Sequence, residues 1–69
     1  MTIEEYRKEL GWSQAELSRQ AKLNPNTVRK AENGEEVSSQ TALALTSAFS
    51  NALGRKILVR DIDGLTVKI

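Results

Sequence analysis

Apolar residues in the N-terminal part of the chain recur at helical rather than strand spacing. The residues predicted to face inward are Ile3, Tyr6 and Leu10, then Leu17, Ser18 and Ala21, then Leu23, Val28 and Ala31. Gly11 and Gly34 follow the first and third of these groups, at positions where glycine commonly ends a helix. The pattern predicts three short amphipathic helices.

Polar residues predict where the second and third helices begin. Ser13 and Glu16 have the spacing of a capping box, in which each side chain satisfies a backbone N–H at the helix start. The second helix is expected to reach about Ala21. Asn24 and Pro25 predict the next start, because asparagine is a good N-cap and proline is favoured at the first helical position. Ending near Asn33, the third helix forms a compact two-helix unit with the second.

A fourth helix is predicted from about Gln40 to Leu53, capped by the serines before it and ended by Gly54. Its inward positions are expected to be Ala42, Leu45, Phe49, Ala52 and Leu53. Beyond Gly54 the pattern changes. We expect one helical turn near Val59 to Ile62, a turn at 61–64, and either a short strand or a docked tail over 65–69.

Composition excludes several kinds of chemistry. The 69 residues include no cysteine and no histidine, which removes disulfides, thiol nucleophiles, sulfur-ligated zinc and the commonest general base. The turn Asp61-Ile62-Asp63-Gly64 lacks the later ligands and closing glutamate of a calcium loop. We therefore expect no enzyme activity, no metal site and no cofactor. The net charge is only +1, so the placement of the charges matters more than their sum.

The chain contains no apolar run of the length that a membrane helix needs, and its start does not have the pattern of a signal peptide. We expect a cytoplasmic protein without a membrane partner.

The segment from Gln14 to Gly34 resembles the helix-turn-helix of the phage Cro and repressor proteins, often called the XRE family. Arg7, the run Leu10-Gly11-Trp12-Ser13-Gln14 and Glu32-Asn33-Gly34 stand where such domains have them. The resemblance implies an all-α, lambda-repressor-like bundle of four to five short helices with a central helix-turn-helix. It covers about Ile3 to Leu53. We expect a helix-turn-helix DNA-binding domain over 1–54, followed over 55–69 by a turn and a short apolar tail or strand that completes the core or forms a dimer interface.

The outer stripe of the third helix carries the functional prediction. Asn26, Arg29, Lys30 and Asn33 lie on one face, and each can donate hydrogen bonds. Such a stripe suits the major groove, where arginine and lysine favour guanine and asparagine favours adenine.

The resemblance adds further site residues. It implies a DNA phosphate contact for Gln14, backbone contacts for Asn24 and Asn33, and an apolar base contact for Pro25. Arg7 and Glu32 are implied to form a partly buried structural ion pair.

The expected function is sequence-specific binding of double-stranded DNA by a transcriptional regulator, a repressor or an antitoxin-like protein. Four features depart from the family pattern: Lys22 occupies a turn position that usually holds glycine, Pro25 can offer a base only an apolar contact, Ala31 is smaller than the usual core residue, and Glu35-Glu36 follow the motif where a basic residue is common. Pro25, Glu35-Glu36 and the weak net charge are the evidence for the alternative, a protein-interaction module that kept the fold without strong DNA affinity. Possible partners besides DNA are a second copy bound through the C-terminal tail, a toxin or a larger protein.

Overall fold

The computed structural model describes residues 1–68. It contains four α-helices, which are α1 (Ile3–Leu10), α2 (Gln14–Ala21), α3 (Pro25–Glu32) and α4 (Ser39–Leu53). A 3-10 helix follows at Val59–Asp61, and two short strands, β1 (Glu36–Val37) and β2 (Thr66–Val67), complete the described chain. The all-α bundle with a short strand in its tail is thus confirmed. No helix in this part of the chain is long and apolar enough to cross a membrane.

Side-chain caps begin each α-helix. Thr2 and Glu5 form a reciprocal capping box at α1, which was not predicted from the sequence. At α2 the predicted box is only half correct. The Ser13 hydroxyl accepts the Glu16 N–H at 3.1 Å, but the Glu16 carboxylate instead accepts hydrogen bonds from Arg19 and Gln20. A carboxylate at this position reaches polar and charged neighbours one turn along the helix as easily as it reaches the cap.

The core forms where the four helices meet. Its largest fully buried side chains are Phe49, Leu17, Leu45 and Val28. The Tyr6 ring lies 5.1 Å from the Phe49 ring between centroids, and the Trp12 ring lies 6.3 Å from it. Leu10 and Leu23 are half-buried against this cluster. Most of the residues predicted to face inward are therefore in the core.

The prediction for Ala52 was wrong, because this residue is exposed. Leu53, four residues after Phe49, takes the inward position of the last turn of α4 and packs against the core. In place of Ala52, α4 buries Ala48 and Thr46, whose hydroxyl donates to the Leu43 carbonyl at 2.9 Å.

The C-terminal segment folds back onto its own chain. β2 pairs in parallel with β1, with Glu36 opposite Thr66 and Val37 opposite Val67. Ile57 and Ile62 are buried in the same core as the helices. The predicted helical turn is present, and the end of the segment is a short strand. The prediction for Ile69 lies outside the described residues, and β1 itself was not predicted.

Candidate nucleic-acid interface

A tight turn sets α3 against α2. Only Lys22, Leu23 and Asn24 separate the two helices, and Lys22 takes a left-handed conformation with φ of 57°, which fits a turn position that usually holds glycine. The Leu23 N–H donates to the Ser18 carbonyl at 2.8 Å, which closes the end of α2. Because Ser18 is small and buried, α3 can pack close to α2 at this point. The unit is therefore fixed by backbone geometry as well as by apolar packing.

One face of α3 is buried and the other is open. Val28 and Ala31 face the core with almost no exposed surface. The exposed residues of the helix and its C-cap are Pro25, Asn26, Arg29, Lys30 and Asn33. The stripe predicted from the sequence is thus accessible along the whole length of α3. We call Asn26, Arg29, Lys30 and Asn33 the α3 stripe.

The N-terminus of α3 uses its own backbone donors internally. The Asn24 side-chain oxygen accepts the Asn26 N–H at 2.8 Å, and the Asn24 carbonyl accepts the Thr27 and Val28 N–H groups. Pro25 has no backbone N–H to offer. Contacts from α3 to a ligand must therefore come from side chains.

The N-terminus of α2 is different. The Ser13 hydroxyl takes the Glu16 N–H and the Ser13 carbonyl takes the Leu17 N–H. The N–H groups of Gln14 and Ala15 have no acceptor among residues 1–68. Gln14 is half-buried at the first helical position, next to these two donors in the chain. Open N–H groups at a helix N-terminus suit a phosphate group.

Arg7 holds α3 to the rest of the molecule. Its Nε and Nη2 atoms donate to the two carboxylate oxygens of Glu32 at 3.2 and 3.1 Å. Its remaining Nη1 donates to the Trp12 carbonyl at 3.0 Å, just before α2. The two charged side chains are only 14% and 8% exposed. The ion pair therefore keeps the Glu32 charge away from the α3 stripe and links three segments of the chain.

The bond from Arg7 to the Trp12 carbonyl was not predicted, and no sequence signal could have identified it. Every residue carries a backbone carbonyl, so a side chain that binds one leaves no mark on the residue it contacts. This contact nevertheless fixes the turn that leads into Gln14.

Some charged side chains around the α3 stripe form ion pairs and others do not. Arg19 is paired with Glu16 at 2.8 Å, and the hydrogen bonds from Arg19 and Gln20 lower the pKa of the Glu16 carboxyl. Lys22, Arg29 and Lys30 form no ion pair within the described residues. Glu35 and Glu36 are exposed immediately after α3. The stripe itself is therefore positive, with two carboxylates beyond its C-terminal end.

Comparison with known proteins identifies the class. A helix-turn-helix family model matches residues 3–55, which is most of the chain. The chain belongs to the Cro/C1-type helix-turn-helix family, also called the XRE family, whose domains bind DNA and serve regulation. No curated protein and no solved structure matches the chain significantly.

Proposed function

We propose that the protein is a transcriptional regulator that reads a specific duplex sequence by inserting α3 into the major groove. The observation that carries this proposal is the α3 stripe, whose four exposed hydrogen-bond donors lie opposite a fully buried apolar face. Asn26 has a side chain suited to adenine edges, and Arg29 and Lys30 have side chains suited to guanine edges, with Pro25 beside them for an apolar contact. Arg29 adds a further cation to the same face.

Gln14, Asn24 and Asn33 are proposed to hold the DNA backbone. Gln14 stands beside two N–H groups that have no acceptor in the described chain. The Asn24 side-chain oxygen is occupied by the Asn26 N–H, so only its amide N–H₂ group can donate to a phosphate. Contacts of this kind fix the position of the protein on the duplex but do not distinguish one base sequence from another.

The experiment is selection of a preferred duplex from a random library, followed by fluorescence anisotropy over a series of salt concentrations. Lys30→Ala should weaken binding to the preferred duplex by about tenfold or more, and it should reduce the preference for one base pair at one position of the duplex. Gln14→Ala should weaken all duplexes equally and leave the salt dependence unchanged, because glutamine carries no charge.

Lys56→Ala is the matched control, since it removes an exposed cation that follows the C-terminal end of α4, whereas α3 is joined to the N-terminal end. Equal losses for Lys30→Ala and Lys56→Ala would mean that binding depends on net charge and would exclude readout by α3.

Repression by promoter occupancy is the regulatory mode that the resemblance suggests. We assign the DNA-binding unit to residues 1–54, and we propose that the protein acts in the cytoplasm.

Two copies bound to half-sites about 34 Å apart would have a higher affinity for DNA than one small module. A homodimer through the tail stays a prediction, tested by sedimentation of the full chain, while an antitoxin role predicts a toxin that co-purifies.

A protein-interaction module is the second candidate, and the exposed pair Glu35 and Glu36 favours it. These carboxylates would repel phosphates if they faced the duplex. Binding to DNA that falls steeply as salt rises supports the regulator, because counterion release accompanies phosphate contacts. Absence of binding at low salt would favour the second candidate.

A further inference from the structure

A second cationic surface lies at the end of α4. No acidic residue occurs from Val37 to Arg60, whereas Arg55, Lys56 and Arg60 fall within six positions at the end of that stretch. All three are exposed and form no ion pair within residues 1–68. We call these three residues, together with Leu58 and Val59, the C-terminal face.

The C-terminal face combines its cations with apolar surface. Ile57 is buried in the core and anchors the segment. Leu58 and Val59 are half-exposed, and neither belongs to the hydrophobic residues that pack against the core cluster. The α3 stripe differs, because its four members are all polar or charged.

The backbone of the C-terminal face is held in place on both sides. The Ser50 hydroxyl accepts the Ile57 N–H at 2.8 Å, and the Asp61 carboxylate accepts the Leu58 N–H at 2.9 Å. Val59 and Arg60 are part of the 3-10 helix, which is followed by buried Ile62. A surface that is already ordered loses little conformational entropy when it binds.

The position of this face separates it from the DNA-binding site. α4 has 15 residues and so extends for about 22 Å. Its N-terminus is joined to α3 by a six-residue link, and the C-terminal face follows its other end. The C-terminal end of α3 and the C-terminal face are therefore joined to opposite ends of α4.

We propose that the C-terminal face binds an acidic, amphipathic segment of a partner protein. Carboxylates of the segment pair with Arg55, Lys56 and Arg60, while its apolar side chains cover Leu58 and Val59. A second copy of this chain fits less well, because a two-fold contact through this face would set its cations against themselves. A nucleic-acid backbone would satisfy the cations but would leave the two apolar side chains uncovered.

The test uses amide NMR of the labelled full chain with three probes. These are a synthetic peptide that alternates glutamate pairs with leucine-phenylalanine pairs, a poly-glutamate peptide of equal length, and a mixed-sequence duplex. The amphipathic peptide should shift the amides of residues 55–60, and it should bind more tightly than poly-glutamate because only it covers the apolar side chains. The duplex should shift Gln14 and residues 24–33 instead.

Two variants test the assignment. Arg55→Glu combined with Lys56→Glu should weaken the amphipathic peptide by at least about tenfold while duplex binding through α3 persists. Lys22→Glu combined with Lys68→Glu, the matched control, makes the same change in net charge outside this face and should bind the peptide as the parent chain does. Thermal unfolding checks that each variant is folded. The variants should fold as the parent chain does, because these exposed side chains do not stabilise the fold.

Three results would overturn the proposal. The first is an amphipathic peptide that shifts no amide in residues 55–60 or that binds the double variant unchanged. The second is a duplex that shifts these amides more strongly than the peptide, which would identify a nucleic-acid surface. The third is shifts of the same amides when the protein alone is concentrated, which would identify a second copy as the occupant.

Discussion

α3 and the C-terminal segment are attached to the same core by different kinds of contact. α3 is held by the buried faces of Val28 and Ala31 and by the ion pair between Arg7 and Glu32. The C-terminal segment is held by buried isoleucines and by hydrogen bonds to its backbone, including the pairing of β2 with β1. The first attachment combines apolar packing with one charged pair, and the second combines apolar packing with several hydrogen bonds to the backbone.

This difference predicts which single substitutions will lower the stability of the fold most. Breaking a nearly buried ion pair leaves a charge without its partner, and that is costly because the charge has little access to water. Removing one hydrogen bond to a half-buried backbone group costs less, since neighbouring bonds remain. The helix-turn-helix should therefore be the region more sensitive to one well-chosen change.

The largest effect is expected for Arg7→Ala. It removes both bonds to Glu32 and the bond to the Trp12 carbonyl, and it should lower the free energy of unfolding by about 3 kcal/mol. Urea unfolding followed by fluorescence of the single tryptophan measures the change, because Trp12 stacks on the core residue Phe49.

Lys8→Ala is the control for this comparison. Lys8 forms an exposed pair with Glu4 on the same helix, and such a pair contributes little to stability because water and salt screen it. Equal losses for Arg7→Ala and Lys8→Ala would show that the buried pair does not anchor α3.

An intermediate effect is expected for Ser50→Ala in the attachment of the C-terminal segment. The change leaves the half-buried Ile57 N–H without its acceptor, at a cost of about 1–2 kcal/mol. Ser47→Ala is matched to it, since Ser47 is exposed on the same helix and both changes gain the same helix propensity. Identical melting temperatures for the two variants would contradict the role of the Ser50 hydroxyl.

A smaller effect of opposite sign is expected at the turn between α2 and α3. Lys22→Gly should stabilise the protein by about 0.5–1 kcal/mol, because glycine adopts a φ of 57° without the clash that a Cβ atom causes. Lys22→Ala keeps the Cβ atom and removes the same charge, so it should bring no gain. If both variants were equally stabilised, charge rather than backbone strain would be the cause.

The smallest effect concerns the pH dependence that Glu16 contributes. Its hydrogen bonds with Arg19 and Gln20 lower the pKa of the carboxyl below that of the unfolded chain. The stabilisation is therefore present above the unfolded-state pKa and is lost as the pH falls through the lower, folded-state value. As the pH falls across this acidic range, the melting temperatures of the parent chain and of Glu16→Gln should converge. A difference in melting temperature that does not change with pH would refute the assignment.

Much of the candidate site was predictable because its signals are local. The exposure of Asn26, Arg29 and Lys30 follows from their spacing against Val28 and Ala31 on one helix. What could not be predicted is how the backbone donors are divided. Those of α3 are consumed by Asn24, whereas two at the start of α2 stay open, and this depends on the orientation of each capping side chain.

The sequence by itself determined the four α-helices, the turn at Lys22 and the polar stripe of α3, since periodicity, caps and turn preferences act between residues close in the chain. Only the tertiary structure decided that residues 36–37 form a strand with 66–67, that Ser50 fixes Ile57, and that Arg7 reaches the Trp12 carbonyl. Those contacts join distant segments through backbone groups. Because every residue carries these groups, no residue type in the sequence indicates which of them will form such contacts.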